Sequence, residues 1–144
     1  MSPLAFVAVA LAGGLGAVCR FVLDAWVNAR WPLSVSGSTV KLGTFAMNVT
    51  GSLALGIVTG LTTRYAVDSQ MTLVIGTGFM GGYTTFSTAM WDALSLGRDE
   101  QRHDGASRDE PRSQGFVLLK ALAHAGIMAG SCILAAGLGI LATR

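Results

Sequence analysis

Four long apolar stretches, separated by shorter polar linkers, run through the sequence. A helix needs about 20 predominantly apolar residues to cross the hydrocarbon core of a bilayer. Each stretch is long enough, and most charged residues fall in the linkers or near the ends of the stretches. We therefore predict an all-α membrane protein that forms one integral membrane domain over residues 1–144. The predicted helices cover about residues 3–26, 42–63, 69–96 and 115–143, with a polar loop at about 97–114.

The composition argues against a soluble helical bundle. Only 12% of the residues are charged, compared with about 25% in a typical soluble domain. A soluble bundle helix needs a polar stripe on its water-facing side, and the last three stretches offer mainly Gly, Ala, Ser and Thr there. The chain also has 19 glycines, and small residues let membrane helices approach closely. The expected surroundings are therefore lipid.

The basic residues are unevenly divided between the two sides of the predicted bundle. Lys and Arg favour the cytoplasmic side of a membrane. The linkers after the first and third helices carry most of them, whereas the opposite side has only Arg64 and Arg144. This bias predicts both termini outside and both basic linkers inside. The sequence lacks a basic stripe with interleaved aromatics, so no nucleic-acid partner is expected.

The second stretch places four small or polar residues on one helix face. Asn48, Ser52, Gly56 and Gly60 recur every four residues, a spacing that puts side chains above one another. For Gly56 and Gly60 the pattern predicts a packing face. Asn48 differs, because a carboxamide in hydrocarbon is unfavourable without partners. Two interpretations stay open for it: contact with a neighbouring helix, or a place along a polar path.

The third stretch contains a segment that weakens a helix. Gly81 and Gly82 together lower the helix propensity by about 2 kcal/mol relative to alanine. The hydroxyl groups that follow, from Thr84 onward, can hydrogen bond the backbone groups that a break would free. Interrupted helices at membrane depth often form ion sites. We therefore favour a functional break over a glycine kink.

Few other polar side chains fall within the helices. Arg20 and Asp24 are four residues apart and are expected to pair near the end of the first helix. Asp92 is expected either to reach the membrane interface or to face a vestibule. Cys19 and Cys132 are expected to be small buried hydrophobes rather than disulfide partners. The sequence shows no constellation of catalytic residues, so an enzyme is not expected.

Three motifs in order carry a resemblance to a known family. They are GGLGAVCRF (Gly13 to Phe21), GTFAMNVTGS (Gly43 to Ser52) and GFMGGYTTFSTA (Gly78 to Ala89). They resemble the motifs of the first, second and third helices of the Fluc/CrcB fluoride-specific ion channels. Together with the length and the four-helix layout, the resemblance covers nearly the whole chain outside the polar loop.

The resemblance implies a function, an assembly and a set of site residues. A subunit of this family lets cytoplasmic fluoride leave passively down its electrochemical gradient across the bacterial plasma membrane and so lowers fluoride toxicity. Two subunits assemble antiparallel, with a structural Na⁺ at their interface held by backbone carbonyls at the third-helix break, here those of Gly81 and Thr84. The residues that correspond to the fluoride pore are Asn48, Phe86, Ser87 and Thr88.

The chain also departs from the family pattern. Ala89 stands where the third motif usually has a second phenylalanine, and Asp92 replaces a glutamate. His124 and Met128 fall where the fourth helix often carries tyrosine and serine. Because an antiparallel homodimer requires nearly balanced charges, these departures and the charge bias favour a heterodimer with a second family member, with the homodimer as the alternative.

Two other functions stay open. A small four-helix multidrug/proton exporter needs a membrane-buried carboxylate in its first helix, whereas Asp24 lies at the end of that helix beside Arg20. A non-conducting structural subunit of a channel is the other alternative, because Ala89 removes a ring from the expected pore.

Overall fold

The computed structural model of the chain describes residues 2–35, 38–40, 42–65, 68–92, 95 and 114–144. Within these ranges all of the long elements are helices. Two three-residue strands, β1 (Leu33–Val35) and β2 (Ser38–Val40), pair antiparallel between the first two helices. The predicted polar loop lies outside the described residues, except that Gln114 begins the last helix.

The first two helices begin and end close to the predicted positions. α1 (Pro3–Arg30) starts with a cap, because Ser2 Oγ accepts a hydrogen bond from Ala5 N–H at 3.2 Å. Pro3 suits the first turn, where the missing N–H would have no helical partner. The helix runs about one turn beyond the predicted end. α2 (Leu42–Tyr65) follows the strands.

The third apolar stretch is divided into two helical parts. Asp68 caps α3 (Ser69–Thr72), which continues into a π-helix (Leu73–Met80) and then α4 (Gly81–Tyr83). We call this run over residues 69–83 the first half-helix. Thr84 is extended, with φ −84° and ψ 158°. Helix α5 covers residues 86–92, and the last helix is α6 (Gln114–Ala142).

Among the described residues, three helices are long and apolar enough to cross a membrane. They are Pro3–Arg30, Leu42–Tyr65 and Ala121–Ala142. The third predicted span is absent from this set because its helix is interrupted, so neither half is long enough on its own.

Large apolar side chains point outward and small ones pack inside. Leu11, Phe21 and Ile133 are 71%, 74% and 72% exposed, whereas most of the buried apolar residues are alanines. Lipid tails are as apolar as leucine, so membrane helices have no need to bury leucine against one another. The exposed surface is therefore that of a membrane protein.

Glycines bring the backbones of two helix pairs into direct contact. α2 packs most extensively on α6, where a Cβ on Gly56 would meet the backbone of Ala136. The predicted packing face is thus confirmed at Gly56. α1 crosses the first half-helix in the same manner, because a Cβ on Gly82 would meet the backbone of Gly13.

Candidate functional site

The interruption between the two helical parts of the third stretch comes later than the glycines that were expected to cause it. Gly81 and Gly82 are helical, with φ −63° and ψ −38° at Gly81. The chain leaves the helix at Thr84 and re-enters it after Thr85. Thr85 Oγ1 accepts a hydrogen bond from Thr88 N–H at 3.4 Å, so it acts as the N-cap of α5.

The side chain of Asn48 on α2 reaches this interruption. Its Oδ1 accepts a hydrogen bond from Thr85 N–H at 2.8 Å, and its Nδ2 donates to Thr85 O at 2.9 Å. Nδ2 also donates to Thr44 O within α2 at 3.1 Å. Asn48 is only 6% exposed. The carboxamide therefore links α2 to the irregular backbone through one accepted and one donated hydrogen bond, as a backbone peptide group does in a sheet.

A cavity of about 400 Å³ lies beside the interruption. It is bounded by α2, both parts of the third stretch and α6. Its lining residues are Asn48, Ser52, Leu55, Gly81, Thr84, Thr85, Phe86, Ala89, Met90, Ala125, Met128, Ala129 and Cys132. These residues carry polar amide, hydroxyl and sulfur groups among apolar ones, and none of them has a charged side chain.

The structure brings together four of the six predicted site residues. Asn48, Gly81, Thr84 and Phe86 line the cavity. Phe86 is 75% exposed, so its ring covers one side of the cavity without being packed within the chain.

Ser87 and Thr88, the other two predicted site residues, are absent from the lining. Their hydroxyls lie at the start of α5, each 3.3 Å from Thr85 Oγ1. They form a small hydroxyl cluster next to the cavity.

A family model decides the relationship of the chain to known proteins. The model described as "CrcB-like protein, Camphor Resistance (CrcB)" matches residues 7–140. The chain belongs to the CrcB family. This is a family of fluoride ion channels, so the chain is a multi-pass protein of the cell membrane and not an enzyme.

Several relatives of this CrcB chain are named as fluoride-specific ion channels. "Fluoride-specific ion channel FluC 1" of Leifsonia xyli subsp. xyli is 50% identical over 101 residues, 70% of each chain. "Fluoride-specific ion channel FluC 1" of Symbiobacterium thermophilum is 34% identical over 138 residues, 95% of each chain. "Fluoride-specific ion channel FluC 2" of Cutibacterium acnes is 50% identical over 82 residues, 56% of this chain and 63% of the relative.

The side of the cavity formed by α6 differs from what the sequence suggested. Met128 lines the cavity with Asn48, and its Sδ lies 3.5 Å from Asn48 Nδ2. His124 is half-buried and is absent from the lining. Cys132, expected to be a buried hydrophobe, is a half-buried free thiol in the lining. Its spacing of four residues from Met128 could have indicated this position, because residues i and i+4 share a helix face.

A second polar cluster joins α1, α2 and α5 in this CrcB chain. Thr44 Oγ1 donates to Asp92 Oδ2 at 2.7 Å and lies 3.5 Å from Asp24 Oδ1. Asn28 Oδ1 accepts from Gly43 N–H at 2.9 Å. Asp92 is 5% exposed, so it lies inside the protein, where Thr44 donates to it.

The predicted pairing of Arg20 with Asp24 is wrong. In the described part of the chain no ion pair joins them. Arg20 Nε instead donates to Gly82 O at 3.4 Å, and Asp24 faces Thr44. The partners come from neighbouring helices, where the close crossing of α1 with the first half-helix brings a carbonyl near the guanidinium.

Proposed function

We propose that this chain is a subunit of a fluoride-selective ion channel. Cytoplasmic fluoride leaves passively through the channel, which lowers fluoride toxicity. The observation that carries the proposal is the cavity beside the interruption, which combines amide and hydroxyl groups with the exposed ring of Phe86 and has no charged lining residue. Relatives named fluoride-specific ion channels support the choice of ion.

The chemistry of the proposed path suits a small, strongly hydrated anion. Fluoride must exchange water for other donors, and the hydroxyls of Ser87 and Thr88 supply O–H groups. The edge of the Phe86 ring is the positive part of its quadrupole, and 75% of this residue is exposed. Asn48 lies at the buried side of the same path.

The membrane potential provides the driving force for exit. An inside-negative potential of about 100 mV favours outward movement of one negative charge by about 2.3 kcal/mol. We propose that neutral hydrogen fluoride enters across the lipid, dissociates in the cytoplasm, and leaves as the anion through the channel. No coupled pump is needed for this direction.

A structural Na⁺ held by the carbonyls of Gly81 and Thr84 is part of the proposal. Backbone carbonyls at interrupted helices are typical ligands for Na⁺. Both residues line the cavity, Gly81 is exposed, and Thr84 has an extended backbone. These residues therefore fit an oxygen-ligand cation. When bound, the ion would supply a fixed positive charge between subunits.

We further propose that the two halves of the third stretch form a fourth span and that two chains assemble antiparallel. The exposed Phe86 beside the cavity supports a second chain on this side. Ala89 is 7% exposed and lines the cavity without filling it. Together with the uneven charges, this favours a heterodimer in which a complementary subunit supplies the second ring.

Fluoride efflux from liposomes tests the proposed function. The purified chain is reconstituted with sodium salts, and fluoride release is followed with an ion-selective electrode, with chloride release as the control. Rapid release of fluoride but not chloride is the expected result for a homodimer. Release that appears only after a second family member is added would establish the heterodimer.

Two results would contradict the proposal. No fluoride release, with or without a second family member, would favour a non-conducting subunit. Proton-coupled export of an organic cation would instead support the multidrug exporter, for which a carboxylate on the transport path is needed. Asp24 and Asp92 lie outside the lining of the cavity, which argues against the exporter.

A further inference from the structure

The Thr85 N–H group does not donate to the acceptor that a continuous helix would give it. In a continuous α-helix this group would donate to Gly81 O, four residues back. Thr84 N–H keeps that pattern and donates to Met80 O at 3.0 Å. Thr85 N–H donates instead to Asn48 Oδ1 at 2.8 Å. No other backbone N–H of the described residues takes its place on Gly81 O, so a side chain from α2 leaves this carbonyl without its helical donor.

The donor groups of Asn48 are both engaged. A carboxamide has two N–H groups, and Nδ2 lies 2.9 Å from Thr85 O and 3.1 Å from Thr44 O. The thioether of Met128 at 3.5 Å is a weaker acceptor than either carbonyl. Turning the amide over would place its oxygen against two carbonyl oxygens, so the network fixes the orientation. The hydrogen-bonding groups of Asn48 are thus engaged within the chain.

The surroundings distinguish Gly81 O from the next carbonyl along the chain. Arg20 Nε donates to Gly82 O at 3.4 Å, so the guanidinium already occupies that oxygen. Gly81 lines the cavity and is exposed, and a Cβ built on it would meet nothing within 4 Å. Gly81 is therefore an exposed residue beside the cavity.

We propose that Asn48 is a positioning residue that keeps the Gly81 carbonyl available to a monovalent cation by holding the Thr85 N–H away from it. The inference rests on the proposed function in taking Na⁺ as that cation. It gives Asn48 a role in supporting the cation ligand, in addition to its place beside the proposed fluoride path.

The test is the Na⁺ dependence of thermal stability of the full chain in detergent, with N-methylglucamine chloride keeping the ionic strength constant. A ligand that binds only the folded protein raises its melting temperature. In Asn48→Ala the Thr85 N–H is free to return to Gly81 O. We expect the Na⁺ concentration for half of the stabilisation to rise by about 10–100-fold, the range for lost support of a metal ligand.

A second substitution separates positioning from general damage. Thr85→Pro removes the N–H that would occupy Gly81 O, and the extended backbone of Thr84, with ψ 158°, suits a residue before proline. We expect Thr85→Pro alone to keep the Na⁺ response. We expect the double variant Asn48→Ala/Thr85→Pro to recover the response that Asn48→Ala loses. Thr59→Ala, on α2 and outside the cavity lining, is the matched control and should respond as the unsubstituted chain does.

Three results would overturn the inference: no Na⁺ response in the unsubstituted chain, an unchanged response in Asn48→Ala, or loss of the response in Thr85→Pro. If Asn48→Ala does not fold, loss of the Na⁺ response in Thr85→Pro still overturns the inference, and recovery of a folded, Na⁺-responsive protein in the double variant supports it. Fluoride efflux is measured separately on the unsubstituted chain. Failure of efflux with an intact Na⁺ response would count against the channel and leave the role of Asn48 standing.

Discussion

Gly81 and Gly82 are adjacent in the sequence and differ in their surroundings. A Cβ on Gly82 would meet the backbone of Gly13, whereas a Cβ on Gly81 would meet open space. Packing within the chain therefore requires glycine at only one of the two positions.

This difference predicts opposite effects of the same substitution. Gly82→Ala should lower the free energy of unfolding by about 1–3 kcal/mol, because the Gly13 backbone cannot move aside easily. Gly81→Ala should leave it unchanged or raise it by up to about 1 kcal/mol through better helix propensity. Denaturant unfolding in detergent without sodium measures both. Equal losses would contradict the packing described for Gly82.

Thr44 provides a second prediction at the scale of single residues. Its hydroxyl donates to Asp92 at 2.7 Å, and the two residues are 3% and 5% exposed. Thr44→Val keeps the shape and removes this hydrogen bond, so the free energy of unfolding should fall by about 1–3 kcal/mol.

Thr59→Val is the matched control for that measurement. Thr59 is exposed and its hydroxyl bonds Leu55 O of its own helix at 2.8 Å, so a change below about 0.5 kcal/mol is expected. If Thr59→Val lowered the free energy of unfolding as much as Thr44→Val, the hydrogen bond to Asp92 would not explain the effect of Thr44→Val.

Partners of polar residues were the least predictable feature at this scale. Spacing along α1 suggested a pair between Arg20 and Asp24, but the guanidinium bonds Gly82 O and the carboxylate faces Thr44. Sequence spacing reveals neighbours within one helix. It contains no information on which group of another helix lies closer, and here those groups are the partners.

At the scale of elements, the contact between α2 and α6 depends on glycines on both sides. A Cβ on Gly56 would meet the Ala136 backbone, and a Cβ on Gly139 would meet the backbone around Leu53 and Ile57. Backbone-to-backbone contact leaves no flexible side chain to give way.

Gly56→Ala should therefore separate α2 from α6 and lower the free energy of unfolding by about 1–3 kcal/mol. Gly130→Ala on α6 is the control, because a Cβ there would meet nothing within 4 Å. Unfolding in detergent compares the two. An unchanged free energy of unfolding in Gly56→Ala would show that the contact between the two helices can accommodate a Cβ at this position.

The long helices could be predicted because apolar length is a strong signal, whereas the shape of the third stretch could not. The stretch from Ser69 to Trp91 carries no charged residue, so composition alone predicts one helix. The glycines suggested a weak point, yet the helix ends only at Tyr83, beyond both of them. The position is fixed by hydrogen bonds from Asn48 and by the Thr85 cap, and the first of these comes from another helix.

At the scale of the whole molecule, the end of α2 and the C-terminus lie together. Arg64 Nη1 donates to Arg144 O at 3.2 Å. These two arginines are the basic residues of the side predicted to lie outside. The other basic residues belong to α1, to the remaining linkers and, as Lys120, to the start of α6.

This distribution predicts a single orientation in the bacterial membrane. A reporter fused after Arg144 should be active as alkaline phosphatase, which needs the outside, and dark as a green fluorescent protein, which needs the cytoplasm. The positive-inside bias gives the reason. Equal activity of both reporters would contradict it and would restore the homodimer as the better assembly.

The glycine crossing of α1 with the first half-helix has a consequence for biosynthesis. The two segments are far apart in the chain, yet the backbones of Gly13 and Gly82 lie in contact. Ribosomes deliver the N-terminus first, so α1 is already inserted when residues 69–83 leave the translocon. The first half-helix therefore packs against a helix that was synthesised before it.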